Sequence, residues 1–357
     1  MSDYLSTPLT QALGCRYPVV QTAMGWVADA NLVIASTRAG AFGFLAGATI
    51  AADQLEGEIQ RVIEATGGSN FGLNFHMFQD NAAQCVDLAI EYRLRAVSYG
   101  RGPDRQTIER FKRAGVLCIP TVGALKHAIK AVELGADMVT VQGGEGGGHT
   151  GGVPSTILLP QVLDAVQVPV IAAGGYSTGR GLASALACGA AGVAMGTRFL
   201  MTRESPTPVA TLERYIKVND PQQIRVTTAV DGMRHRMIEN AFINRLERAS
   251  AFGRLRIALG SAWQWKQQTG MSLRHMLGVF AQSVKEDPGA LSQTVMAANQ
   301  PVLLQRSMVD GVPDEGILPS GQVAAAIGEL KSCQQVIEEM VQEAERCLRA
   351  VSTPYNR

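Results

Sequence analysis

The chain has 357 residues and a formal net charge of +1, from 32 basic and 31 acidic side chains. This length predicts about two domains, or one large barrel with an insertion. The balanced charge excludes the basic surface that a nucleic-acid-binding protein needs, and the apolar runs are shorter than a membrane span. The first residues lack a secretory signal pattern and the six cysteines form no paired motif, so we expect a cytoplasmic protein.

Short apolar runs alternate with amphipathic stretches through the first 200 residues. The runs are rich in β-branched residues and bounded by Gly or Pro, which is typical of buried parallel strands. The stretches between them are long enough for helices. Eight repeated βα units predict a (β/α)8 TIM barrel, with an open doubly wound sheet as the alternative. The predicted strands are Val19–Ala23, Phe42–Ala46, Phe71–Phe75, Ala96–Tyr99, Val116–Thr121, Met138–Gln142, Pro169–Ala173 and Gly192–Gly196.

The sequence changes in character after residue 203. Residues 204–310 are more polar, hold few strand-like runs and contain helical patterns at Met237–Ala251 and Phe252–Gln268. We interpret residues 204–310 as a helical substrate-binding cap, and residues 1–203 and 311–357 as the barrel. Exposed apolar surface on the cap would serve a homodimer.

Glycine is the unusual part of the composition: it accounts for 38 of the 357 residues, whereas its average share is ~7%. The sixth predicted strand runs into QGGEGGGHTGG, residues 142–152, in which seven of eleven residues are glycine. A barrel carries its active site at the carboxyl ends of its strands. Such a loop allows the backbone to approach a ligand closely. His149 lies within it, and an imidazole can act as acid or base near neutral pH.

The next two strands also end in small residues. Gly174-Gly175 and Gly196-Thr197 follow predicted strands seven and eight, where barrels commonly hold a phosphate against a helix N-terminus. A helix that opens near Ser177–Gly179 offers such a terminus. We therefore expect the amides of these four residues to bind a phosphate.

Two further strand ends carry groups suited to a flat polar ring. Met24, after the first strand, can pack beside a ring, and the amides of Asn74 and Gln142 can each donate and accept hydrogen bonds. With the phosphate site, these features favour a phosphorylated cofactor, of which FMN is one candidate. The basic tripeptide Arg234-His235-Arg236 could meet a phosphorylated substrate. No spacing of histidines and carboxylates predicts a metal site.

Five motifs carry a resemblance to a known family: QTAMGW at 21–26, FGLNF at 71–75, QGGEGGGHTG at 142–151, PVIAAGGYSTGRGLASAL at 169–186 and GVAMGTRFL at 192–200. The chain resembles the nitronate monooxygenase family, formerly called 2-nitropropane dioxygenases. The resemblance implies a (β/α)8 barrel with FMN, and His149 matches the family's active-site histidine. It also implies that the cofactor is contacted by Ala23, Met24, Gly25, Asn74, Gln142, Gly147, Gly174, Gly175, Gly196 and Thr197.

A narrower resemblance runs nearly end to end. It rests on VVQTAMGWVA, VQGGEGGGHTGG, TTAVDGMRHR, VMAANQPVLL and VDGVPDEGILPSGQVA, and points to flavin oxidoreductases of bacterial steroid-ring degradation that act on CoA thioesters. It implies hydride transfer between flavin and an α,β-unsaturated acyl-CoA or ring ketone, with NADH or NADPH as a transient donor. Two alternatives are a nitronate monooxygenase and a barrel that binds a phosphorylated metabolite without redox chemistry.

Overall fold

The structure is a computed structural model that describes residues 3–77, 79–100, 102–250, 253, 256–261, 263 and 299–352. The chain divides into two compact units. The barrel unit comprises Met1–Gly146, Thr150–Pro206 and Ala326–Arg357, and the insert unit comprises Gly147–His149 and Thr207–Ala325. The insert unit therefore includes residues 147–149 and 311–325, which our predicted boundaries placed in the barrel.

Twelve strands are present in the described residues. In chain order they are β1 Val19–Gln21, β2 Phe42–Ala46, β3 Gly72–Phe75, β4 Ala96–Tyr99, β5 Leu117–Cys118, β6 Thr121–Val122, β7 Val139–Gln142, β8 Gly148–His149, β9 Val170–Ala173, β10 Gly192–Met195, β11 Ile224–Thr227 and β12 His235–Ile238. Nine of them form an all-parallel sheet in the order β5-β4-β3-β2-β1-β10-β9-β7-β6.

The two ends of this sheet are halves of one strand. Pro120, which has no N–H to donate, interrupts the predicted fifth strand, so that β5 pairs with β4 and β6 pairs with β7. Main-chain hydrogen bonds from Ile119 N to Val97 O (2.8 Å) and from Thr140 N to Pro120 O (2.9 Å) continue both pairings through the break. The sheet therefore closes on itself, and the predicted (β/α)8 barrel is confirmed.

Helices connect the strands of the barrel unit. Their bounds are α1 Pro8–Leu13, α2 Ala30–Arg38, α3 Ala52–Thr66, α4 Ala82–Glu91, α5 Arg105–Arg113, α6 Leu125–Leu134, α7 Ser155–Ala165, α8 Gly179–Cys188 and α9 Thr197–Leu200, with α13 Cys333–Ser352 at the end of the chain. The insert unit contains α10 Val209–Ile216, α11 Ala241–Arg248 and α12 Asn299–Met308. Among the described helices, none is long and apolar enough to cross a membrane.

Alternate strand residues of the barrel unit belong to two different apolar clusters. Leu73 and Val97 pack with Ile59 of α3 and with other residues of the surrounding helices. The intervening residues, such as Phe44 and Ala96, form a second cluster that also takes in Leu9 and Leu13 of α1. This separation follows from the two-residue period of a strand, because neighbouring side chains point to opposite faces of the sheet.

The insert unit is not wholly helical, contrary to our expectation for residues 204–310. β11 and β12 form an antiparallel pair, and β8 joins the other edge of β12. The helix expected to begin at Met237 begins at Ala241, where the Asn240 side chain accepts a hydrogen bond from Ile243 N at 2.8 Å and caps α11. Most of the predicted helix Phe252–Gln268 lies outside the described residues.

Candidate active site

The loops after β7 and β9 approach each other too closely for side chains at several positions. A Cβ atom on Gly174 would lie 2.9 Å from Gly143 O. Gly174 and Gly175 both have left-handed backbone, with φ of +93° and +81°, and among the described residues their N–H groups have no hydrogen-bond acceptor. Consecutive unpaired amides on a rigid loop suit a phosphate or another anion.

The loops after β1 and β10 also meet. The position of a Cβ on Gly196 lies 3.4 Å from Met24 Sδ, so these two predicted cofactor residues are neighbours. The short helix α9 begins at Thr197, and no side chain caps its N-terminus. The start of α9, where we expected Gly196 and Thr197 to bind a phosphate, therefore lies beside the loop after β1.

The N-terminus of α8 does not offer the phosphate site that we expected near Ser177–Gly179. The Glu343 carboxylate accepts hydrogen bonds from Gly179 N at 2.8 Å and from Arg180 N at 3.3 Å. The same carboxylate forms an ion pair with the Arg180 side chain at 3.2 Å. Because an anionic side chain already occupies this helix end, the N-terminus of α8 is not open to a phosphate.

Asn74 and Gln142, which we expected to contact a flat ring, are held by different interactions. Asn74 Nδ2 donates to Ser98 O at 3.0 Å, which fixes the orientation of the amide group. The Gln142 side chain packs on Gly146, where a Cβ would lie 2.5 Å from its Nε2. After β1, Trp26 has a positive φ of 60°, a conformation that costs about 1–3 kcal/mol in a non-glycine residue and is concentrated at functional sites. Asn74 and Gln142 thus lie in the last residues of β3 and β7, where we expected contacts to a flat ring.

Gly147 has a packing role within the insert unit. A Cβ at this position would lie 2.5 Å from Ser320 C and 2.6 Å from Gly321 N. The segment that it touches is hydrogen-bonded to β12, through Ile238 N to Leu318 O at 2.9 Å and Ser320 N to Arg236 O at 3.2 Å. Glycine is therefore required here by the neighbouring backbone, whether or not a cofactor also contacts it.

His149 belongs to a cluster in which two histidines share one carboxylate oxygen. His149 Nε2 lies 2.8 Å from Asp231 Oδ2, and His235 Nε2 lies 2.9 Å from the same atom. The pairing of β8 with β12 places His149 opposite His235, and their ring centroids are 3.7 Å apart. The His149 side chain is 42% exposed, whereas those of Asp231 and His235 are 2% and 1% exposed. Only His149 can reach a bound molecule.

The charge states within this cluster follow from burial and hydrogen bonding. Burial raises the pKa of Asp231, but hydrogen bonds from the two histidines and from Met233 N outweigh it and hold the pKa well below its usual range. Burial lowers the pKa of His235, and this effect exceeds the opposing hydrogen bond to Asp231. At neutral pH the cluster therefore contains an ionised Asp231 and a neutral His235.

The predicted basic tripeptide does not present three neighbouring side chains at one surface. Arg234 is exposed and Arg236 is half-buried, but His235 points inward because side chains alternate along β12. The expectation for His235 is therefore corrected: its ring binds Asp231. Asp231 itself was missed, although the spacing of Asp231 and His235 within TTAVDGMRHR was a signal that could have been followed.

The same three side chains are also of the types that bind metal ions, although sequence spacing predicted no metal site. Histidines that ligate metals almost always donate their second ring N–H to another group. His235 Nδ1 is buried and has no hydrogen-bond partner. Both Nε2 atoms lie at hydrogen-bond distance from one oxygen, so the cluster is best described as a hydrogen-bonded one.

The chain is similar to known proteins along nearly its whole length. Dehydrogenases from Mycobacterium tuberculosis and Rhodococcus jostii, both named for (3aS,4S,5R,7aS)-5-hydroxy-7a-methyl-1-oxo-octahydro-1H-indene-4-carboxyl-CoA, are 46% and 43% identical to it. The matches cover 98% and 95% of this chain, and 98% and 96% of those proteins. The structure of FabK from Thermotoga maritima has a TM-score of 0.79 and 27% identity, covering 97% of this chain and 98% of that one.

The family model for nitronate monooxygenase matches residues 6–87 and 79–343. Together with the relatives above, this match confirms the resemblance that the strand-end motifs indicated and the expectation of an oxidoreductase. The chain belongs to the nitronate monooxygenase family.

Proposed function

We propose that the protein is an FMN-dependent dehydrogenase of a bicyclic CoA thioester, acting in steroid-ring degradation. The observation that carries the proposal is the end-to-end similarity to two dehydrogenases named for such a substrate. A match over 98% of the chain includes the insert unit, which supplies Asp231 and His235 to the His149 cluster.

Membership of the family supports a flavin cofactor, and we propose FMN. Its phosphate would bind the amides of Gly174, Gly175 and Gly196, with Thr197 as a further donor. The loop at Ala23–Gly25, with Asn74 and Gln142, would hold the ring. When bound, FMN supplies two-electron chemistry, in which a hydride is exchanged with the carbon β to the thioester carbonyl.

His149 is the side chain that we propose for the proton transfer. A dehydrogenation that forms a carbon–carbon double bond beside a thioester removes a proton from the α carbon and a hydride from the β carbon. His149 would take the α proton, and the ionised Asp231 would stabilise the resulting imidazolium. In the reverse direction the same histidine would return the proton. Arg234 and Arg236 are candidates for the CoA phosphates. The electrons would pass between the flavin and a nicotinamide nucleotide: NAD+ or NADP+ would take up the hydride after dehydrogenation, and NADH or NADPH would supply it in the reverse direction.

The test uses the yellow holoenzyme under anaerobic conditions. We expect the CoA thioester named for the relatives to bleach the flavin absorbance and to yield a product two hydrogens lighter, whereas the free acid without CoA should react far more slowly. NADH and NADPH are compared as reductants in the same cell. Rapid oxygen uptake with propyl nitronate, with no reaction of the thioester, would overturn the proposal and favour a nitronate monooxygenase.

A further inference from the structure

We infer that Asp231 is a positioning residue that holds His149 with its proton on Nε2, so that Nδ1 is the atom that exchanges a proton with the substrate. The role of Nδ1 in turnover rests on the proposed function, whereas the protonation pattern of the ring rests on the structure alone.

The argument begins with the two oxygens of Asp231. Oδ1 accepts a hydrogen bond from Met233 N at 2.9 Å. Oδ2 lies within hydrogen-bond distance of Nε2 of both His149 and His235. An ionised carboxylate can only accept hydrogen bonds, so each of these Nε2 atoms must carry the proton. In a neutral imidazole the lone pair then lies on Nδ1.

His235 keeps the charge of Asp231 available to His149. If His235 were protonated, its positive charge would neutralise the carboxylate that His149 needs when it accepts a proton. Burial prevents this by holding His235 neutral. The neutral His235 ring therefore holds the Asp231 carboxylate in place by one hydrogen bond and leaves its negative charge unneutralised.

Met233 makes the consequence of an Asp231→Asn substitution predictable. An asparagine amide has one accepting oxygen and one donating nitrogen. With the oxygen toward the histidines, its NH2 group would face the N–H of Met233, which is a donor–donor contact. With the oxygen toward Met233, the NH2 group would donate to the histidines, and Nε2 of His149 would have to accept. The second arrangement moves the ring proton of His149 to Nδ1.

The first experiment measures the tautomer directly, by NMR of the holoenzyme labelled with 15N in its histidine rings. The chain has five histidines, and a His149→Gln sample assigns the signals of His149. At neutral pH we expect Nε2–H with an unprotonated Nδ1 in the wild type, and the reverse in Asp231→Asn. Asp310→Asn is a matched control, since it removes an exposed carboxylate of the insert unit, and it should leave the spectrum of His149 unchanged.

The second experiment measures turnover of the CoA thioester, with NAD+ or NADP+ supplied as the acceptor that reoxidises the reduced flavin. Asp231→Asn should lower kcat by about 10²–10⁴-fold, the range that a positioned general base contributes, with little change in KM. Asp231→Glu should restore the Nε2–H signature and part of the rate, and Asp310→Asn should match the wild type.

The outcomes separate this inference from the proposed function. A wild-type His149 with its proton on Nδ1, or an Asp231→Asn variant that keeps both the wild-type tautomer and its kcat, would overturn the inference. The wild-type spectrum is decisive even if the variants do not fold. An Nε2–H signature in an enzyme that does not turn over the thioester would support the tautomer assignment and refute only the proposed substrate.

Discussion

A single methyl group at Gly147 should separate the packing role of this residue from a role in cofactor binding. In Gly147→Ala the new Cβ would lie 2.5 Å from Ser320 C, whereas ordinary contacts begin at 3.4 Å. The two backbone segments must therefore part by about 0.9 Å. Overpacking of this kind costs about 1–3 kcal/mol, and a displacement near 1 Å at a catalytic group can lower turnover by ~10²-fold. His149 lies only two residues along the same segment.

Urea unfolding and FMN titration measure the two effects separately. We expect Gly147→Ala to lower the free energy of unfolding and kcat, with FMN affinity little changed. Gly57→Ala is a control that should raise the free energy of unfolding instead of lowering it, because Gly57 lies within α3 and no atom lies within 4 Å of its Cβ position. That variant should gain about 0.5–1 kcal/mol. Unchanged stability of Gly147→Ala together with weakened FMN binding would refute the packing argument and make Gly147 a cofactor contact.

Three further predictions concern other parts of the site. Glu343→Ala should lower the melting temperature without changing FMN affinity, because it removes a carboxylate at the N-terminus of α8 that is worth about 0.3–1 kcal/mol. Weaker FMN binding would show that the phosphate site does involve α8. Gly174→Ala should weaken FMN binding about tenfold, since its φ is left-handed and costs a side chain about 1–2 kcal/mol, and an unchanged affinity in the same titration would remove this loop from the cofactor site. Finally, the free energy of unfolding should fall on acidification, because the folded protein lowers the pKa of both His235 and Asp231. As the pH falls below ~6.5, the unfolded chain therefore binds a proton at His235 more readily than the folded protein does, and below pH ~3.9 the same holds for Asp231. Urea midpoints from about pH 7 to about pH 5 should show the His235 part of this loss and His235→Gln should reduce it, whereas equal losses in both proteins would contradict the assignment.

The barrel could be predicted from the sequence because its signals are local. Phe42–Ala46 and Ala96–Tyr99 have the observed bounds of β2 and β4, since a buried strand flanked by turn residues is recognisable within its own run. The predicted fifth strand missed the interruption at Pro120. Its run of apolar residues looks continuous, and only the pairing with two different neighbours reveals the break.

The insert unit was harder to predict because its strands depend on distant partners. β12 is four residues long, and its pattern also fits the start of an amphipathic helix. It becomes a strand by pairing with β11 and with β8, a segment more than 80 residues earlier in the chain. The same distance explains why His149 could be singled out by its glycine-rich loop while its contact with Asp231 could not be predicted: the two residues lie 82 positions apart in the chain and meet only in the folded insert unit.

The His149 cluster also explains why the chain would bury a histidine and a carboxylate together at some cost. Desolvation opposes the charge on Asp231, and a single hydrogen bond would compensate it only in part. Three donors converge on its two oxygens, from His149, His235 and Met233. Two of these donors, His235 and Met233, lie within the same short stretch as Asp231, so two of the carboxylate's hydrogen bonds do not depend on His149. If His149 acts as proposed, an anion that keeps two hydrogen bonds independent of His149 is suited to the repeated protonation of that side chain.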